Sequence, residues 1–186
     1  MGIIHFIDNV INQNIYGVNK TNPSFLMFST LKYYYNVDFS NQICRNIWLG
    51  NFIDSSNSDF ISKNNINVII NCSKDLPFFF SEDEVAYRYR IPVDDDKQEH
   101  SLYIMYLYLP KIVEIIKSHV AKNHNIYIHC HAGMQRSACV VAAYLIAEYD
   151  MDLETSYNYI KSLRPIAFTP QINFKKSLEK YYSDIH

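Results

Sequence analysis

Apolar positions along the chain fall into short runs and helical stripes that alternate. Ile47-Trp48-Leu49-Gly50 reads as a strand ending at a turn. Val68-Ile69-Ile70-Asn71-Cys72 reads as a buried strand, Tyr87–Ile91 as an alternating one, and Ile126–His129 as a short apolar one. Helical spacing appears between and after them. Asn57–Asn64 predicts a short helix. Ser101–Ala121 predicts a long amphipathic one, with Met105, Tyr106, Leu109, Ile112, Val113, Ile116 and Val120 on its apolar face. Ala138–Ala147 is apolar on every side, the mark of a helix buried within a domain. Asp152 caps a further helix over Leu153–Leu163, and Arg164-Pro165 ends it. Thr169-Pro170 is expected to open the last helix with a cap and a proline at its first position, packed down by Ile172, Leu178 and Tyr181. Strands that alternate with helices predict an α/β fold, a mostly parallel central sheet flanked by helices.

The N-terminal region reads differently. Gly2–Tyr16 carries Ile3, Ile4, Ile7, Val10, Ile11 and Ile15 at helical spacing, with Gly17 as a stop. Val18–Ser40 shows no clear period, and Leu26–Tyr35 suits either a second helix or an extended arm. The expected division is a helical extension or arm over 1–42 and one domain over 43–186. An isolated helix of this length is marginal, so its stripe must be buried, against its own domain or against a second copy. Leu76–Phe80 is a loop expected to fold back on the core rather than to wall a substrate.

Composition narrows the function classes. At 186 residues, 48% hydrophobic and with net charge −2, the chain suits one domain with a real core. Neither disorder nor general polyanion binding is indicated, so no nucleic-acid partner is expected. No apolar run is long enough to span a membrane. Met1–Gly17 has no basic start and no small-residue cleavage site, and Phe6 stands where a myristoylation signal wants Ser or Thr. The four cysteines show no metal-type spacing. Richness in Asn, Ile, Tyr and Lys with little Gly is what an AT-rich genome, such as that of a virus or protist, produces.

The candidate chemistry lies in Asn125–Tyr149. A strand runs into Cys130-His131-Ala132-Gly133-Met134-Gln135-Arg136, and the buried helix starts near Arg136. A loop closing onto a helix N-terminus points several backbone N–H groups at one spot. A thiol there is biased toward thiolate, a strong nucleophile at neutral pH. Gly133 permits backbone angles that a side chain forbids. Arg136 offers a planar fork for two phosphate oxygens. Nucleophile and oxyanion cradle together suit phosphoryl transfer. A nucleophilic thiolate also needs a reducing compartment, and the cytosol fits best.

Cys-x5-Arg followed by Ser137 and preceded by His129 resembles the phosphate loop of cysteine-dependent protein tyrosine phosphatases. The form HCHAGMQRSA is most similar to the dual-specificity branch, including its poxvirus members. The resemblance covers roughly Cys44 to His186. It implies Cys130 as nucleophile and His131, Ala132, Gly133, Met134, Gln135 and Arg136 as the phosphate cradle. Ser137 would stabilise the departing thiolate, and His129 would brace the loop. In the family a loop of the type Ile-Pro-x-x-Asp carries the general acid. In Ile91-Pro92-Val93-Asp94-Asp95-Asp96 the matching residue is Asp95, with Asp94 and Asp96 as the alternatives to a one-residue slip.

Two departures stand out. One extra residue lies between Arg164-Pro165 and Pro170, and Gln171 stands where many relatives have Asn, so the family's contacts from that loop are not carried over. The resemblance further implies hydrolysis of phosphotyrosine and phosphoserine or phosphothreonine in a phosphorylated protein, with no metal or cofactor. It implies Cys72 as a redox partner for Cys130, and a homodimer that exchanges the N-terminal helix. The competing activities are RNA 5′-triphosphatase, inositol-lipid phosphatase and a phosphoprotein-binding pseudophosphatase.

Overall fold

The computed structural model describes residues 38–186 in full, and before them the backbone of Asn14–Ile15 and Val18–Asn19. Strands β1 (Asn14–Ile15) and β2 (Val18–Asn19) pair antiparallel. The helix expected over Gly2–Tyr16 therefore does not include Asn14 and Ile15. Its remaining residues, the Leu26–Tyr35 segment and the helix-exchanged dimer lie outside the described residues.

The sheet proper starts at β3 (Ser40–Cys44), which pairs antiparallel with β4 (Ile47–Gly50). β3 crosses the boundary expected between 42 and 43. Its Ser-Asn-Gln start is polar because an edge strand has one neighbour and a half-exposed face, so it shows no apolar run. Next come α1 (Ser58–Lys63), capped by the Asn57 side chain, and β5 (Ile66–Asn71). β6 (Tyr87–Arg90) and the long α2 (Glu99–Ala121) follow. β7 (Asn125–His129) leads through the Cys130 loop into α3 (Arg136–Tyr149). α4 (Leu153–Leu163) takes its cap from Asp152, whose Oδ1 accepts the Thr155 N–H at 2.7 Å. α5 (Lys175–Ile185) closes the chain.

The strand order is β3-β4-β7-β5-β6, with β4, β7, β5 and β6 parallel. Alternation along the strands sorts the side chains onto two faces. Leu49, Val68, Ile70, Ile126 and Ile128 join the main core with Met105, Leu109, Val140, Val141, Ile160 and Leu178 from the helices. Tyr127 and Ile69 pack on the other face with Ile61 of α1 and with Phe80 and Val85, joined by Ile66 because the register shifts between Ile66 and Val68. The 76–80 loop does fold back, through buried Leu76 and Phe80, while Phe78 lies under the guanidinium groups of Arg88 and Arg90. No helix among the described residues is long and apolar enough to cross a membrane.

The last helix departs from expectation. Thr169-Pro170 does not open it; α5 begins five residues later, at Lys175. The Gln135 side chain holds the intervening segment instead. Its Nε2 donates to the carbonyls of Thr169 (3.1 Å) and Gln171 (2.8 Å), and its Oε1 accepts the Asn173 N–H at 3.0 Å. Backbone groups engaged in this way are not available for a helical turn.

Candidate active site

β7 lies at the centre of the sheet, and Cys130 follows its carboxyl end, the side on which parallel sheets place ligands. The loop that follows is turned inside out by its neighbours. The His131 carbonyl accepts the Phe52 N–H at 3.3 Å, and the Met134 carbonyl accepts that of Phe168 at 2.8 Å. Arg164 donates Nη2 to Ala132 O (3.2 Å) and Nε to Gly133 O (2.8 Å). The Gln135 carbonyl accepts the Cys139 N–H inside the first turn of α3. Every carbonyl from 131 to 135 thus points at an outside donor. In a planar trans peptide the N–H lies opposite the C=O. The amides of residues 132–136 therefore face away from these donors, toward the Cys130 side of the loop, where that of Gly133 meets the sulfur.

Gly133 takes φ +65°, and a Cβ there would strike the Gly50 carbonyl. Two constraints meet at that residue: left-handed backbone and direct contact with β4. Gly50 is bare for a related reason, since a Cβ on it would meet the Ser40 and Tyr127 hydroxyls.

Cys130 is buried, which by itself would raise its thiol pKa. The Arg136 charge and the hydrogen bonds from Ser137 outweigh that and hold it below the ordinary value. Its Sγ accepts the Gly133 N–H and the Ser137 hydroxyl, each at 3.2 Å. Burial pushes the thiols of Cys139 and Cys72 well up, so Cys130 stands alone among the buried cysteines in favouring the thiolate. Arg136 donates Nη1 to Val93 O at 3.2 Å, and its buried Nε has no hydrogen-bond partner. Asp95 Oδ2 sits 3.7 Å from that Nε.

The three acidic residues of the loop separate cleanly. Asp94 faces outward to Lys74 at 3.5 Å. Asp96 Oδ1 accepts the Gln98 N–H at 3.0 Å, just ahead of α2. Only Asp95 reaches the cradle. His131 turns to Asp75, its Nε2 3.2 Å from each carboxylate oxygen. Burial opposes ionisation of Asp75, but the hydrogen bond from His131 prevails and holds its carboxyl below the usual value.

His129 is buried beneath the loop. Its ring stacks on Tyr127 at 5.5 Å, and burial, the largest cause, lowers its pKa to about 3. It is a neutral strut, and that neutrality has a consequence for stability. The unfolded chain takes up a proton at His129 near pH 6.5, whereas the folded chain resists it until about pH 3. The stabilisation is complete above pH 6.5 and falls with pH by about 1.4 kcal/mol per unit until the folded value is reached. Urea midpoints at pH 7 and pH 5 should show this loss, and His129→Asn should show less of it. The carboxylates with lowered pKa values are ionised in both states over the pH 7 to pH 5 interval of that test, because their ordinary values lie below it.

The profile of the family described as "Dual specificity phosphatase, catalytic domain" matches residues 47–184, most of the chain. The chain belongs to the dual specificity phosphatase family. It is 32% identical over 146 residues to human "Dual specificity protein phosphatase 16", covering 77% of this chain and 21% of that one. It is 29% identical over 140 residues to human "Dual specificity protein phosphatase 9", covering 75% and 35%. The chain thus matches about a third or less of these relatives' length. The crystal structure of human DUSP28 shares the fold, with a TM-score of 0.70 and 22% identity over 80% of this chain and 95% of that one.

Of the residues expected from the sequence, the structure gathers Cys130, Arg136, Ser137 and Asp95 at one point, with His129 beneath and Gln135 behind. Arg164, Asn173 and Asp75 were not anticipated. Arg164 read only as a helix stop, yet it is fully buried, and it also donates Nη1 to Asp38 O (3.1 Å) and Asn41 Oδ1 (2.7 Å).

Proposed function

We propose that this chain hydrolyses phosphate esters on protein side chains, phosphotyrosine and phosphoserine or phosphothreonine, through a cysteinyl-phosphate. The single observation that carries the reading is the thiol of Cys130, biased to thiolate, within a loop whose five outward carbonyls leave its amides for an anion. Cys130 attacks phosphorus, and the P–O bond to the leaving group breaks. The amides of His131–Arg136 and the Arg136 fork hold the equatorial oxygens, whose charge grows in the transition state. Asp95 gives its proton to the departing oxygen. In the second step Asp95, now ionised, takes a proton from water as that water attacks phosphorus. The S–P bond breaks, and Ser137 donates to the returning thiolate, the contact it already makes at 3.2 Å.

Without substrate, Asp95 faces the Arg136 guanidinium at 3.7 Å. A bound phosphate dianion takes up the Arg136 fork and brings negative charge toward Asp95.

The test is turnover of a phosphotyrosine peptide, a phosphothreonine peptide and triphosphorylated RNA side by side. Hydrolysis of the peptides is expected. Turnover of RNA alone, or binding without turnover, would replace the reading by a triphosphatase or a pseudophosphatase. We assign the site to a reducing compartment, because oxidation of the thiolate ends the chemistry.

Cys72 belongs to the same reading as a redox partner. Its N–H donates to the His129 carbonyl at 2.7 Å, so it sits beside the residue that precedes Cys130. Peroxide would oxidise the Cys130 thiolate to a sulfenic acid, and the Cys72 thiol would displace water to form the disulfide. Mass spectrometry after peroxide should find the Cys72–Cys130 bridge. Sulfinic acid at Cys130 with no bridge removes the assignment.

A further inference from the structure

Asp95 stands in an exposed turn, yet general-acid work demands a fixed direction. A carboxylate 3.7 Å from a buried guanidinium is also drawn to close the gap. If it did, it would occupy the Nε–H that phosphate must take.

The Asn173 side chain engages the other carboxylate oxygen. Its Nδ2 donates to Asp95 Oδ1 at 2.8 Å. Asn173 is itself fixed, because its backbone N–H donates to Gln135 Oε1 at 3.0 Å. Gln135 belongs to the phosphate loop, and its Nε2 grips the carbonyls of Thr169 and Gln171. The acid is thus tied to the cradle twice. Arg136 Nη1 holds Val93 O on one side, and the Gln135–Asn173 strut holds Asp95 on the other.

We propose that Asn173 is a positioning residue for Asp95, engaging Oδ1 so that Oδ2 alone carries the proton toward the leaving oxygen. This rests on the phosphatase reading above. The chemistry follows from what an amide can offer. An Nδ2–H donates only, so the oxygen that accepts it is held as an acceptor. The free Oδ2 is the one that faces Arg136. Removing the amide releases Asp95 to rotate or to pair with Arg136, and both outcomes cost proton delivery. The backbone link to Gln135 does not depend on the Asn173 side chain, so the segment stays in place when that side chain is changed.

A loss confined to proton delivery has a signature that a loss of packing lacks. It depends on how much the leaving group needs the proton. The experiment compares the wild type, Asn173→Leu, Asp95→Asn and the double variant on aryl phosphates that span acidic to weakly acidic phenols. Asn173→Leu should lower kcat/KM, which reports only the steps through P–O cleavage, by about 10- to 100-fold on the weakly acidic phenols, part of a general acid's worth, and by under about threefold on the most acidic. In the Asp95→Asn background the same change should cost nothing more, since Asn173 acts through Asp95. An equal loss across the series, no loss at all, or a full additional loss in the double variant each overturns the proposal. Failure of the underlying reading is separable. It shows as a wild type that does not turn over, or as an Asp95→Asn variant indifferent to the leaving group, and it takes this inference with it.

Discussion

Replacing Cys130 by Ser should abolish turnover and leave phosphopeptide binding in place. The serine hydroxyl has nearly the size of the thiol but does not ionise at neutral pH, so the nucleophile is lost. The loss should approach the roughly 10⁶-fold seen when an enzyme's nucleophile is removed. The cradle is untouched, because the outward carbonyls are held by Phe52, Arg164, Phe168 and Cys139, none of which depends on the sulfur. Serine carries no negative charge beside the incoming dianion, so binding should be at least as tight as in the wild type. Kinetics on a phosphotyrosine peptide and binding by calorimetry separate the two effects. Appreciable turnover by Cys130→Ser ends the assignment. Arg136→Lys is the companion case. An ammonium cannot span two phosphate oxygens and hold Val93 O as well. A loss of about 10²- to 10³-fold follows from one missing donor to developing charge.

Asp95→Asn should slow hydrolysis of alkyl and weakly acidic aryl phosphates by roughly 10²- to 10⁴-fold. An alkoxide leaves badly unless it is protonated as the P–O bond breaks, and Asn has no acidic proton to give. An acidic phenol needs little protonation, so its kcat/KM, which reports P–O cleavage alone, should suffer least. Asp94→Asn and Asp96→Asn should change little, because Asp94 faces Lys74 in solvent and Asp96 accepts the Gln98 N–H. A larger effect at either position moves the acid by one residue.

Much of this site was legible in the sequence, and the reason is local. Ile126–Ile128, the Cys130–Arg136 loop and the apolar Ala138–Ile146 run are contiguous, so strand, turn and buried helix could be read from one stretch. The acid loop was legible to within one residue; only the directions of Asp94, Asp95 and Asp96 in space decide among them. What escaped is held by side chains acting over long separations. Arg164 reaches Gly133 and Ala132 across 31 and 32 residues, and Asn173 reaches Asp95 across 78. Such links leave no periodicity behind. The start of the last helix was misplaced for the same reason, since Gln135 takes over backbone groups that a helix opening at Thr169-Pro170 would need. β3 escaped because an edge strand needs no apolar alternation.

The most direct test of the account is to catch the phosphoryl group on Cys130. Asp95 serves both steps, as acid in the first and as base in the second. With an aryl phosphate whose phenol is strongly acidic, Asp95→Asn should still form the cysteinyl-phosphate but release it slowly. Rapid quenching and peptide mass spectrometry should then find one phosphoryl group on the peptide that contains Cys130, after a burst of phenol equal to the enzyme present. A phosphoryl group on any other residue, or steady turnover by this variant with no adduct and no burst, would contradict the account.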